Sequence, residues 1–198
     1  MPTGTPYLQR SIDQGGTPNR EEFYMKELLI VVDFQNDFVD GSLGFSGAER
    51  LEGPICDKIL AYRQAGQTVV FTMDAHEANY LETREGRKLP VPHCLSGSKG
   101  RELYGRVKDL SEGCLCFEKN TFGSDRLFDY LREHSFDRVE LVGLVSNICV
   151  LANAVLAGAA SSESIVSVDA SCTASFDPLL HEKTLDVLAG IQVQVTNR

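Results

Sequence analysis

Five consecutive aliphatic residues, Leu28-Leu29-Ile30-Val31-Val32, run directly into an acidic one, Asp33. A strand with one wet face alternates apolar and polar residues, so an unbroken run of this kind reads as a strand buried on both faces, the habit of a central parallel strand. Similar runs recur at Thr68–Thr72, Cys114–Phe117, Val139–Leu144, Ile165–Val168 and Ile191–Val195. Apolar residues at helical spacing fill most of the intervals: Leu51, Ile55, Ile59 and Tyr62; Leu127, Tyr130 and Leu131; Val150, Ala154 and Val155; Leu179, Leu180, Leu185 and Leu188. Strands alternating with helices predict an α/β fold, a three-layer α/β/α sandwich whose six-stranded, mainly parallel sheet carries helices on both faces through right-handed crossovers.

The length of 198 residues suits one such domain. It is expected over 26–198, after an N-terminal extension, 1–25, that is rich in Gly, Pro, Thr, Gln and Arg and lacks a sustained period. A net charge of −9 argues against a nucleic-acid partner, because phosphate binding needs a basic face, and the cluster Arg84, Arg87 and Lys88 reads as a solvated loop. No apolar run is long enough for a membrane span, and no signal peptide is read at the start, so a cytoplasmic protein is expected. In that compartment the six cysteines are expected as thiols rather than disulfides.

Ligand crevices in parallel α/β sheets lie beyond the carboxyl ends of the strands, which directs attention to the residues following each run. Asp33 follows the first and Asp74 the second. Lys119 follows the third, and Cys149 lies just past the fourth, opening a helix of small residues. A thiol at a helix start meets unpaired backbone N–H groups that favour its thiolate and can hold an oxyanion; a carboxylate can take the thiol proton and an ammonium can balance the moving charge. Each residue alone has an ordinary explanation: a packed thiol, a turn aspartate, a surface lysine. From Asp74 to about Leu110 the chain is predicted as a long loop, with Pro90, Pro92, Gly97, Gly100 and Gly105 breaking any helix. Within it, Asp74-x-His76, Glu85 and His93 offer the mixed oxygen and nitrogen donors that suit Zn²⁺, with Fe²⁺ or Mn²⁺ also acceptable.

Taken in order, Asp33 with Gln35, Asp37 and Phe38; Asp74-Ala75-His76; Pro92-His93-Cys94 leading to Gly97 and Gly100; Lys119 with Phe122; and Gly143-Leu144-Val145-Ser146-Asn147-Ile148-Cys149-Val150 cover most of the chain from Leu28 onward. This ordered set resembles the isochorismatase-like cysteine hydrolases, and within them the nicotinamidases. The sequence departs from many nicotinamidases at Ser146-Asn147, where they carry Thr-Asp.

The resemblance implies a triad of Asp33, Lys119 and Cys149, and a cis peptide at Val145–Ser146 whose N–H joins that of Cys149 in an oxyanion hole. It implies a metal on Asp74, His76 and His93 with Glu85 as a fourth residue, direct or through water, and Glu82 as the nearest competitor for that place. Phe38, Phe122 and Val145 are expected to contact the substrate, a small aromatic amide. The activity expected on these grounds is deamidation of nicotinamide to nicotinate in NAD salvage, by a homo-oligomer. A metal-free relative acting on a carbamoyl or ureido amide, and a catalytically silent ligand-binding or scaffold member, are the alternatives. His134 and His181 read as surface or packing residues, and Cys94, Cys114, Cys116 and Cys172 as packed thiols.

Overall fold

The computed structural model describes residues 25–198. The expected extension therefore lies, but for Met25, outside the described residues. Six strands form one sheet in the order β3-β2-β1-β4-β5-β6: β1 Glu27–Val32, β2 Thr68–Asp74, β3 Leu115–Lys119, β4 Arg138–Leu144, β5 Ile165–Ala174 and β6 Gln194–Thr196. Every pairing is parallel. The helices are a single turn α1 Asn36–Val39, then α2 Glu52–Gln64, α3 Gly105–Leu110, α4 Asp125–Glu133, α5 Leu151–Ala160 and α6 Pro178–Gly190.

The aliphatic run of β1 is buried throughout because its two faces feed two cores. Leu28, Ile30 and Val32 pack with Leu127 and Leu131 of α4, Ala154 and Ala157 of α5, and Leu185 and Leu188 of α6. Leu29 and Val31 pack with Ile55 and Ile59 of α2 and Val107 of α3. The three-layer expectation is met. No helix among the described residues is long and apolar enough to cross a membrane.

Three local expectations change. β5 continues six residues past Val168, since Asp169, which breaks the apolar pattern, is carried inside the strand by a 2.6 Å ion pair with Lys58. Ile191 does not open β6 but caps α6. Gly105, expected to break a helix, starts one: its φ of +49° and missing side chain leave room for the Glu52 carboxylate, which accepts a hydrogen bond from the Arg106 N–H at 2.7 Å. A borrowed carboxylate thus satisfies the first turn of α3.

Candidate active site

Parallel strands deliver their last residues to one edge. Asp33 follows β1, Asp74 and Lys119 close β2 and β3 in register with each other, and β4 ends at Leu144, a few residues before Cys149. Two details tighten this edge. Asp33 turns the chain off the sheet at φ +44°, a region L-residues rarely adopt. Gly143 has φ +110°, and a Cβ there would stand 2.0 Å from the Val32 carbonyl oxygen, so only glycine lets β4 leave so close to β1.

The structure brings Asp33, Lys119 and Cys149 together. Lys119 Nζ lies 2.6 Å from Asp33 Oδ2 and 3.6 Å from Cys149 Sγ. The Thr72 hydroxyl donates to the other Asp33 oxygen at 2.7 Å. Burial raises the Asp33 carboxyl; Lys119 draws it back down and Asp74 pushes it up again. Burial would depress the Lys119 ammonium, but Asp33, Cys149 and Asp74 around it raise it above its ordinary value. An upward shift on the acid is not what an ion pair alone produces. With two donors within 2.7 Å we read the pair as ionised, and the shift as burial making Asp33 a stronger base than a surface carboxylate. The Cys149 thiol is raised well above the usual range, by burial and then by Asp33. Burial and the neighbouring carboxylate thus oppose the thiolate that a helix start favours.

Cys149 sits in the π turn Ser146–Val150 that leads into α5. The cis peptide is Leu144–Val145, one bond earlier than expected. Ser146 is already the first residue of the helical turn, so the reversal between strand and helix falls before Val145. Val145 and Cys149 line the cavity, whereas Ser146 is fully buried away from it. Ser146, expected in the oxyanion hole, is therefore not a lining residue of the cavity.

Four side chains form a second cluster beside the triad. Ligand atoms of Asp74, His76, Glu85 and His93 all lie within 4.8 Å of one another. Asp74 Oδ2 is 3.1 Å from His76 Nε2 and 3.3 Å from His93 Nε2, and Glu85 Oε1 is 3.9 and 3.7 Å from the same nitrogens. Burial would raise Asp74, but the two imidazoles and Lys119 hold its carboxyl below the ordinary range. Its Oδ1 is buried without a hydrogen bond, 3.5 Å from the Lys119 ammonium. Two imidazoles and two carboxylates, largely buried and converging, fit a divalent cation of the zinc class. Glu82 is outside the cluster, on an exposed turn.

A cavity of about 420 Å³ opens over both clusters. Phe38, Phe122, Phe176, Val145, Ile148 and Leu89 supply its apolar wall; Cys149, Asp74, His93 and Glu85 line it as well. Its wall suits a flat ring with one polar end.

Several contributors carry no local sequence signal. Phe176 follows β5, and its neighbours Leu179 and Leu180 are exposed beside it. Tyr80 packs edge-on against both His76 and His93. Asn153 is fully buried in α5: its side-chain amide donates to the carbonyls of Cys149 at 2.8 Å and Phe122 at 3.1 Å, tying the Cys149 turn to the aromatic wall. A buried Asn among alanines was the available hint. His181, expected to be a surface or packing residue, has Nδ1 2.9 Å from the Ser146 hydroxyl; α6 starts close to the turn that carries Cys149, which its position along the chain does not reveal. His134 stays remote from the site, stacked on Tyr130. All six cysteines are free, but Cys116 is exposed rather than packed because β3 is an edge strand.

A family model described as the isochorismatase domain matches residues 27–198. Among solved structures, the nicotinamidase/pyrazinamidase PncA from Bacillus subtilis superposes with a TM-score of 0.78 at 32% identity, covering 86% of this chain and 99% of that one. A pyrazinamidase of Pyrococcus horikoshii in complex with zinc gives 0.77 at 26% identity, over 87% and 99%. The nicotinamidase of Saccharomyces cerevisiae is 25% identical over 214 residues, 86% of this chain and 99% of the relative.

Proposed function

The chain belongs to the isochorismatase family, and from that premise we propose that this amide hydrolase deamidates nicotinamide to nicotinate and ammonia through a thioester on Cys149, as a cytoplasmic, homo-oligomeric enzyme of NAD salvage. The observation that carries the reading is the convergence of two clusters on one apolar cavity: the buried Asp33, Lys119 and Cys149 set, and the cation-fitting Asp74, His76, Glu85 and His93 set. A metal-free carbamoyl hydrolase would have no use for the second.

In this mechanism Phe38, Phe122 and Phe176 hold the pyridine ring and exclude water from its faces. Asp33, whose basicity burial has raised, takes the Cys149 proton as the sulfur attacks the carboxamide carbon. Lys119 stays protonated and balances the charge passing between Sγ and the carboxylate. The N–H groups of Val145 and Cys149 receive the oxyanion. Asp33 then returns its proton to the departing nitrogen, and later accepts one from the water that cleaves the thioester. Asp74, His76, His93 and Glu85 would hold a divalent metal, Zn²⁺ by donor type, which when bound supplies Lewis acidity at the ring nitrogen and fixes the ring's orientation.

The test is ammonia release from nicotinamide by the purified protein, with and without a chelator. Release that chelation abolishes and Zn²⁺ restores is expected; turnover of a carbamoyl or ureido amide alone, indifferent to chelator, would contradict the reading.

A further inference from the structure

Asp37 is absorbed by neither cluster, although its carboxylate, half-buried on α1, is closely surrounded by backbone. Its Oδ2 accepts the backbone N–H of Cys94 at 2.7 Å, 57 residues along the chain, and its Oδ1 accepts that of Ser42 at 3.2 Å. The enclosure is built from glycine. A Cβ at Gly100 would stand 2.0 Å from Asp37 Oδ2, and one at Gly41 2.5 Å from Oδ1.

Cys94, the residue so held, links both histidines of the metal-fitting cluster. It follows His93 directly. Its own carbonyl accepts the His76 N–H at 3.0 Å, and the His76 carbonyl in turn accepts the Ser96 N–H at 2.8 Å. Cys94 is buried at φ +46°, in the left-handed region that a non-glycine residue occupies only when its surroundings hold it there. The one charged acceptor on its N–H is Asp37, and charge-assisted bonds of this length are the strong kind.

We propose that Asp37 is a positioning residue for the metal centre, clamping Cys94 in its left-handed conformation and so aiming His93 and His76 together. Gly100 and Gly41 are glycine because the clamp leaves no room for a side chain. Gln35 and Asn36 extend the same staple: the Gln35 amide bonds the Asp74 carbonyl at 2.9 Å and the Arg101 carbonyl at 2.7 Å, and the Asn36 amide bonds the Lys99 carbonyl at 2.6 Å. One short segment after β1 thereby holds the backbone at Asp74 directly and at His93 and His76 through Cys94, leaving Glu85 to its own loop.

The inference rests on the metal reading of the site, and the experiment separates the two. Co²⁺ and Zn²⁺ affinities are measured by chelator competition on the full chain, for wild type, Asp37→Asn and Gly100→Ala, together with the visible spectrum of the Co²⁺ forms. Both variants are expected to bind about 10- to 100-fold more weakly and to give a Co²⁺ spectrum shifted from wild type. Wild-type affinity and an unchanged spectrum in Asp37→Asn would overturn the clamp. Should wild type itself take up no metal, the metal reading fails instead. The clamp is then judged by amide hydrogen exchange at Cys94 and His76, which Asp37→Asn should accelerate; unchanged exchange overturns it.

Discussion

Lys119 and Asp33 form a 2.6 Å ion pair in which neither side chain is more than 1% exposed. Such a pair gains little over an apolar substitute, but losing one member strands a charge in the core, at a cost of about 3–5 kcal/mol. Lys119→Met is therefore expected to lose both stability and turnover. Asp33→Asn strands the Lys119 ammonium in turn, but leaves it Asp74 Oδ1 at 3.5 Å as an anionic partner, so it should cost somewhat less stability than Lys119→Met while lowering kcat by about 10²- to 10⁴-fold. Denaturant titration alongside an amidase assay checks the contrast. Stability left unchanged by both variants would contradict a buried ionised pair.

Away from the site, Lys58 bridges Glu140 at 2.9 Å and Asp169 at 2.6 Å, joining α2 to β4 and β5. Burial would raise Asp169, but hydrogen bonds from Lys58, Ser171 and Asn197 hold its carboxyl below the ordinary value. A depressed folded-state carboxyl contributes stability that is complete above the unfolded value of about 3.9 and is lost as pH falls through the folded one. Thermal melts from pH 6 downward are expected to show a steeper acid decline for wild type than for Asp169→Asn. Parallel declines would show that this carboxylate is not protonation-linked to folding.

His181 reaches the Cys149 turn through the Ser146 hydroxyl, 2.9 Å from its Nδ1. Burial lowers its imidazole below the ordinary value, so the neutral ring is the form that makes this bond at neutral pH. Deleting one neutral hydrogen bond at a positioned turn corresponds to about 1 kcal/mol, or roughly fivefold in rate. His181→Ala should lower kcat by that order with KM unchanged, and His181→Asn should restore part of it. A change in KM alone would place His181 at the substrate instead.

How much of this was legible in the sequence follows from what each residue depends on. Asp33, Asp74 and Lys119 could be found because a strand end is a local event, announced by the aliphatic run before it. Their meeting at one edge follows from parallel topology. Phe176 reaches the cavity, and His181 the turn that carries Cys149, through the course of β5 and α6, which no nearby residue announces. The position of the cis bond turned on where the helical turn begins, a one-residue matter that a motif does not resolve. Gly105 misled for a related reason: a glycine that stops a helix in isolation starts one when a distant carboxylate, Glu52, supplies the cap. The Asp37 clamp was visible only as an unexplained Asp and an unexplained Gly100, joined in the fold across 63 residues.

Covalent catalysis by Cys149 is tested most directly by rapid acid quench of the metal-loaded enzyme during nicotinamide turnover, followed by intact-mass and peptide analysis. A nicotinoyl mass on the peptide carrying Cys149, absent from a Cys149→Ala variant that still holds its metal and releases no ammonia, is the expected result. Amidase activity retained by that Cys149→Ala variant would contradict it.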